Sequence, residues 1–306
     1  MKTGELRRAA AAFIRDPAAM FGLGVLVITV AAALGAPWIS PYDPLVGDGA
    51  HRLAPPGTPG HVLGLDDQGR DILSRLIWGS RTSLLAAVVP VVAAAAVSLV
   101  LGIVAGYAGG WVGTLLMRLV DVFFAFPAVL LAIAVAAVLG PGLLNVMIAM
   151  TVVRIPYMMR VVYTDTLQEK RKEYVESAAA LGARPWEIMF RHLLPNVFPS
   201  LLVYAATLTG VSVVTAAGLS FIGLGVQPPA ADWGRMASEG STLLMQGDPF
   251  LTLFPGLAIL LVSLAFSFVG DGLRDALDPR QRSLVVKRRR GDSAPSEASV
   301  REEVGA

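Results

Sequence analysis

Apolar residues in this chain neither alternate nor recur on one helical face. They come in long unbroken runs separated by short polar segments. A hydrocarbon layer about 30 Å thick takes about 20 apolar residues at a rise of about 1.5 Å each. Runs of that length predict membrane-spanning helices over Ala19–Trp38 and Ser83–Tyr107, the second inside a charge-free stretch from Thr82 to Met117. Val122 to Val153 also lacks charge but is too long for one helix. The Gly and Pro of LGPGLLN, Leu139 to Asn145, divide it into two spans joined by a tight turn. Runs from Phe198 to Ile222 and from Pro249 to Val269 bring the total to six, an all-α membrane fold with both termini on one side.

Composition excludes a soluble domain: 55% of the 306 residues are apolar, 16% are charged and the mean hydropathy is +0.63. Net charge is only +2, so the placement of the basic residues carries the information. With the N-terminus inside, cytoplasmic segments hold Lys2, Arg7, Arg8, Arg15, Arg118, Arg160, Lys170, Arg171, Lys172, Arg184, Arg191 and eight basic residues from Arg274 to Arg301. The outside keeps Arg52, Arg70, Arg75, Arg81 and Arg235, and Arg154 lies within the fourth span. This bias predicts an N-in, C-in topology, since Lys and Arg near span ends stay cytoplasmic. A basic start followed by an apolar run and small residues at Ala33–Ala36 also resembles a cleavable signal peptide, but the run exceeds a usual signal core.

Candidate chemistry is sparse. Without cysteine there are no disulfides, thiolate nucleophiles or Cys-ligated metals. His51, His61 and His192 show no metal-ligand spacing and read as solvated or interfacial. No catalytic nucleophile or acid–base pair stands out, so the reading is a non-enzyme. No G-x-x-x-x-G-K-[ST] phosphate loop occurs, so any ATP must be used by a partner. Arg118 and Asp121, three apart, are expected to neutralise each other, with substrate or gate contact as the other reading for them and Arg154. Gly102, Gly106 and Gly110 form overlapping G-x-x-x-G steps suited to close helix packing. The Lys287–Arg290 run reads as a topology anchor rather than a nucleic-acid patch, and the polar, turn-rich tail from Gly291 to Ala306 as disordered.

The polar segment from Asp165 to Pro199 predicts two helices with a stop between them. Gly182 suits the left-handed position ending a helix, and Pro185 suits the first turn of the next. Trp186, Met189, Phe190 and Leu193 then form one apolar stripe, Glu187 and Arg191 an i, i+4 pair, and Pro195 and Pro199 end the helix. Small residues from Ser177 to Ala180 allow another backbone to come close. The segment therefore reads as a docking surface, although an amphipathic helix lying on the membrane would share its pattern.

Here the chain resembles a known family. Glu176, Ala178 and Gly182, followed by Leu194 and Pro195, match the E-A-A, three residues, G, then L-P loop of binding-protein-dependent ABC importer permeases. Ser177 replaces the usual Ala, and R-H-x-L-P-N, Arg191 to Asn196, is similar to the peptide and nickel branch. The segment HVLGLDDQGRDILSRLIWGSRTSL, His61 to Leu84, resembles the outer signature of dipeptide, oligopeptide and nickel permeases, with Leu65 in place of a common Thr and Gly69, Arg70, Asp71 and Arg75 at its centre. GLSFIGLGVQPP from Gly218 and GDGLRDALDPR from Gly270 resemble the same branch.

The resemblance implies a five-helix permease core from the second to the sixth span. It also implies a coupling helix, formed by Glu176, Ser177, Ala178, Ala179, Leu181 and Gly182, that docks on an ATPase subunit. Residues 1–60 then form an N-terminal tail, first span and outer loop, residues 61–282 the core, and residues 283–306 a tail. Expected partners are a second homologous permease, two ATPases that bind ATP and Mg, an extracytoplasmic binding protein and the inner-membrane bilayer. No nucleic acid, and no metal or cofactor on this chain, is expected. Short peptides are the expected cargo, with nickel or another small solute as the alternative. An ion-coupled secondary transporter and a scaffold without transport are the other function classes. Asp71 and Arg75, four apart, are expected to pair locally, and Arg70 and Arg81 to anchor at the outer interface.

Overall fold

The structure, a computed structural model, describes residues 3–244 and 247–277. The expected tail at 283–306, the Lys287–Arg290 run and Arg280 lie outside the described residues. Eleven helices and one π-helical turn make up the described chain, and no strand is formed among the described residues.

Helix α1 (Thr3–Ile14) packs on the last helix. Asp16 then starts α2 (Pro17–Ile39) by accepting the Ala18 N–H at 2.9 Å, with Pro17 in the first turn, where its missing N–H costs nothing. A long loop leads to α3 (Ile72–Ala108), whose 37 residues span about 55 Å. That exceeds the hydrocarbon thickness, so the polar turns before Ser83 project beyond the apolar layer. The end holding Asp71 is called the signature end, and the opposite end the loop end.

The third crossing departs from expectation. The charge-free stretch is broken not only at Leu139–Asn145 but also at Pro127. Helix α4 (Gly110–Phe124) and α5 (Ala128–Leu139) meet at 90°. Proline supplies no N–H and disfavours helical geometry in the residue before it, which stops α4. Twelve residues of α5 rise about 18 Å, too short to cross alone. Five helical stretches are long and apolar enough to span a membrane, and the count rises to six if the bent pair is taken as one crossing.

Gly140 and Gly142, both at positive φ, make the turn into α6 (Leu143–Lys170). Helix α6 lies close along α3: a Cβ on Gly102 would fall 2.6 Å from Val162, and one on Gly106 2.7 Å from Thr166. The first two glycines of the G-x-x-x-G run thus serve packing within the chain. Next come α7 (Glu173–Ala180), the short α8 (Pro185–Glu187), the π turn Ile188–Leu193 and α9 (Leu194–Phe221). Helix α10 (Trp233–Leu244) lies at the signature end, and α11 (Phe250–Leu277) returns through the bundle to pack on α2 and α9. Gly22 of α2 rests on the Ala265 carbonyl of α11, so the first span is part of the packed body.

The membrane-edge charges also pair differently from expectation. Asp121 bonds Arg160 of α6 at 2.9 Å, not Arg118, and the Arg160 guanidinium lies 4.5 Å from the Phe124 ring centre. Helix α4 lies across α6 there, so a partner on another helix comes nearer than the one on its own.

Candidate functional site

At the loop end, Lys170 closes α6 by donating to the Tyr107 carbonyl at 2.6 Å. Helix α7 then begins with Glu173 and Glu176 in its first turn, where carboxylates meet the positive end of the helix dipole. Its C-terminus is a Schellman motif: the Gly182 N–H donates to Ala179 O at 3.0 Å and the Ala183 N–H to Ala178 O at 3.1 Å. Gly182 stands at φ +84°, as its spacing predicts. Only Val175 of α7 is buried, against Ile188, Leu193 and Val197, while Glu176, Ser177, Ala179 and Gly182 are exposed and Ala178 is half-buried. Leu181 is 89% exposed, Phe190 61% and Trp186 54%, so apolar side chains stand in the open beside the carboxylates. A cleft of about 410 Å³ runs beneath α7, lined by Tyr107, Lys170, Val175, Glu176 and Ile188.

The second half of this element corrects three expectations. Pro185 does start a helix, and the Glu187 carboxylate accepts the Arg184 N–H at 2.9 Å instead of pairing with Arg191. The helix then widens into a π turn and runs on through Pro195 and Pro199 to Phe221. Pro195 has no N–H for a carbonyl one turn back, and its ring crowds that carbonyl; a π turn relieves both. One inserted residue shifts the apolar stripe, so Ile188 and Leu193 face inward while Trp186 and Phe190 face out. Leu194 is half-buried and Pro195 exposed. Asn196 ties the pieces together, donating to His192 O at 2.6 Å and to the Tyr174 hydroxyl at 3.2 Å. That hydroxyl donates to Glu169 at 2.6 Å, and its burial and the neighbouring carboxylate raise its pKa.

At the signature end the predicted residues are brought together but turned inward. Asp71 caps α3, accepting the Ser74 N–H at 2.8 Å and hydroxyl at 2.7 Å, and bonds His61 Nδ1 at 2.9 Å. It does not pair with Arg75, because the cap aims its carboxylate at the first turn. Arg70 and Arg75 are each 2% exposed, so Arg70 is not an interface anchor; Arg81 is exposed and stacks on Trp78. Both buried guanidiniums bridge the same two carboxylates. Arg70 reaches Asp66 at 2.7 Å and Glu239 at 3.2 Å, while Arg75 bonds Asp66 and reaches Glu239 at 2.8 Å. Arg235 completes the group at 3.1 Å from Glu239. Gly69, at φ +76°, leaves no room for a side chain against Asp48.

Helix α10 is held to α3 by the same means. Asp232 accepts the Ser83 hydroxyl at 2.8 Å, and Trp233 Nε1 donates to Leu76 O at 3.0 Å. Burial raises the Asp232 pKa. Asp66, Asp67 and Glu239 place carboxylate oxygens within 4.8 Å of one another. Two arginines already bond Asp66 and Glu239, so this donor set fits a salt-bridge cage better than a cation site. Desolvation, then Asp66 and Glu239, raises the Asp67 pKa.

Glu239, Asp66 and Asp232 were not singled out from the sequence. The local signals are the four-residue spacings of Asp66 with Arg70 and of Arg235 with Glu239.

Comparison with known proteins agrees with this architecture. Residues 98–283 match the family described as binding-protein-dependent transport system inner membrane component. Residues 5–56 match the N-terminal TM domain of oligopeptide transport permease C. The chain is 44% identical over 272 residues to the glutathione transport system permease protein GsiD of Pectobacterium atrosepticum, covering 89% of this chain and 90% of that one. It is 43% identical over 268 residues to GsiD of Escherichia coli, covering 88% of each. To the dipeptide transport system permease protein DppC of Alkalihalophilus pseudofirmus it is 38% identical over 269 residues, again 88% of each. These relatives are transport subunits rather than enzymes. This chain belongs to the family of binding-protein-dependent transport system inner membrane components, a multi-pass protein of the bacterial inner membrane.

Proposed function

We propose that this permease subunit imports short peptides, forming one half of a translocation path completed by a second, similar permease. Two ATPase subunits bind ATP and Mg at the loop end, which faces the cytoplasm, and an extracytoplasmic binding protein delivers cargo at the signature end. Residues 61–282 form the permease core, and residues 1–60 add the first span and outer loop. Peptide cargo is favoured by the glutathione and dipeptide systems in which the relatives are named.

The observation that carries the coupling role is the projection of α7. One buried side chain, Val175, fixes the helix to the bundle, and Glu176, Ser177, Ala179, Leu181 and Gly182 are left free beside Trp186 and Phe190. A polar-rimmed apolar surface of this kind suits a protein partner. The mechanism is alternating access. ATP draws the ATPases together, α7 moves with them, and α6 and α9, which flank α7, carry that movement into the membrane.

Affinity purification of the tagged chain in mild detergent, wild type beside Glu176→Arg, tests this reading. An ATPase should accompany the wild type and be lost or weakened with the variant, at equal amounts of folded chain. Undiminished ATPase recovery with Glu176→Arg would remove the docking assignment.

A further inference from the structure

The guanidinium of Arg154 serves neither end of the molecule. It lies about 17 Å along α6 from Leu143, within a membrane-spanning helix, and is 7% exposed. Its hydrogen bond runs to Thr215 Oγ1 of α9 at 3.3 Å, and no carboxylate among the described residues comes within 4.0 Å. Thr215 donates its own proton to the Val211 carbonyl at 2.8 Å, which leaves a lone pair for the guanidinium. Val211 and Val214 flank Thr215 and are half exposed, so the group sits at an open margin of the bundle.

An ionised side chain within an apolar span is costly, faces a protein or water-filled interior, and marks function or pairing. Arginine offers a planar fork of donors that grips a carboxylate through two parallel bonds. A short peptide ends in a carboxylate that must find such a partner when it leaves water. We propose that Arg154, held by Thr215, is the station in the translocation path that recognises the peptide's carboxylate. This rests on the peptide-import reading above.

The test uses the complete importer, with partner subunits and binding protein, in proteoliposomes, and takes glutathione and dialanine as probes. ATP-dependent uptake by the wild type comes first; uptake of neither probe removes the peptide reading and this proposal together. Given wild-type uptake, Arg154→Gln should lower kcat/KM about tenfold or more, and Arg154→Lys, which keeps the charge, about threefold. Unchanged kinetics in Arg154→Gln overturn the proposal and leave peptide import standing.

A purely structural role is separated by Arg154→Cys, which introduces the chain's sole thiol. A sulfonate-bearing thiosulfonate reagent should label it during ATP turnover, and dialanine should slow labelling several-fold. A thiol that is never labelled, or labelled at the same rate with peptide present, overturns the proposal. So does loss of the second permease from Arg154→Gln complexes with KM unchanged, which would place a partner's carboxylate against Arg154.

Discussion

Arg70 and Arg75 at the signature end and Glu176 and Leu181 at the loop end all belong to sequence motifs, yet they use their side chains in opposite directions. The first pair is sealed between Asp66 and Glu239 and holds α3, the long loop and α10 together. The second pair touches little of its own chain. A motif can thus mark an internal joint or an outward contact, and burial tells them apart. Substitutions at the joint should act on the fold, and substitutions at the contact on assembly.

The harshest challenge to this contrast is Arg75→Met, which leaves Asp66 and Glu239 short of one cation. Destabilisation of about 3–5 kcal/mol is expected, seen as a lower melting temperature in detergent and less protein in the membrane. A variant as stable as wild type would mean the cage is not a joint.

Next comes a matched pair of glycines with nearly equal positive φ. Gly69→Ala meets the Asp48 backbone and should cost about 3 kcal/mol, whereas Gly182→Ala meets open space and should cost about 1 kcal/mol. Equal losses in thermal unfolding would show that the shared backbone conformation, not the surroundings, sets the cost at both positions.

Leu181→Ser should change stability by less than about 0.5 kcal/mol, because the side chain is already in solvent. Recovery of the ATPase in a pull-down should nevertheless fall. A large loss of stability there would show that the loop end is tied inward after all.

The smallest effect concerns pH. Burial raises the Asp67 pKa above 3.8, so this group favours the fold below that value, and its contribution is lost as pH rises through the raised one. Asp67→Asn should flatten that acid-side slope in pH-dependent unfolding; an unchanged slope would assign it to another carboxylate.

What was legible in the sequence is what is local. Apolar run length gave the crossings, and Gly182 and Pro185 gave the turn after α7. The break at Pro127 was hidden because the residues around it are as apolar as a span. The Asp71–Arg75 spacing pointed to a pair, but a carboxylate just before a helix has the nearer N–H groups of the first turn to satisfy, and Ser74 takes it. Glu239 joins Arg70 across 169 residues, a closure that no spacing rule reaches. Arg154 stood out as a charge in a span, yet Thr215 lies on another helix, and only packing brings α9 beside it.

Helix α3 joins the two ends as one unbroken strut of about 55 Å. A strut of that length turned by about ten degrees about its middle carries each tip about 5 Å, in opposite senses. Gly102 and Gly106 press it against α6 near one tip, and the arginine cage welds the cap at the signature end to the other. A tilt imposed from the loop end would therefore swing the cap as a unit, by leverage instead of by successive rearrangement of side chains.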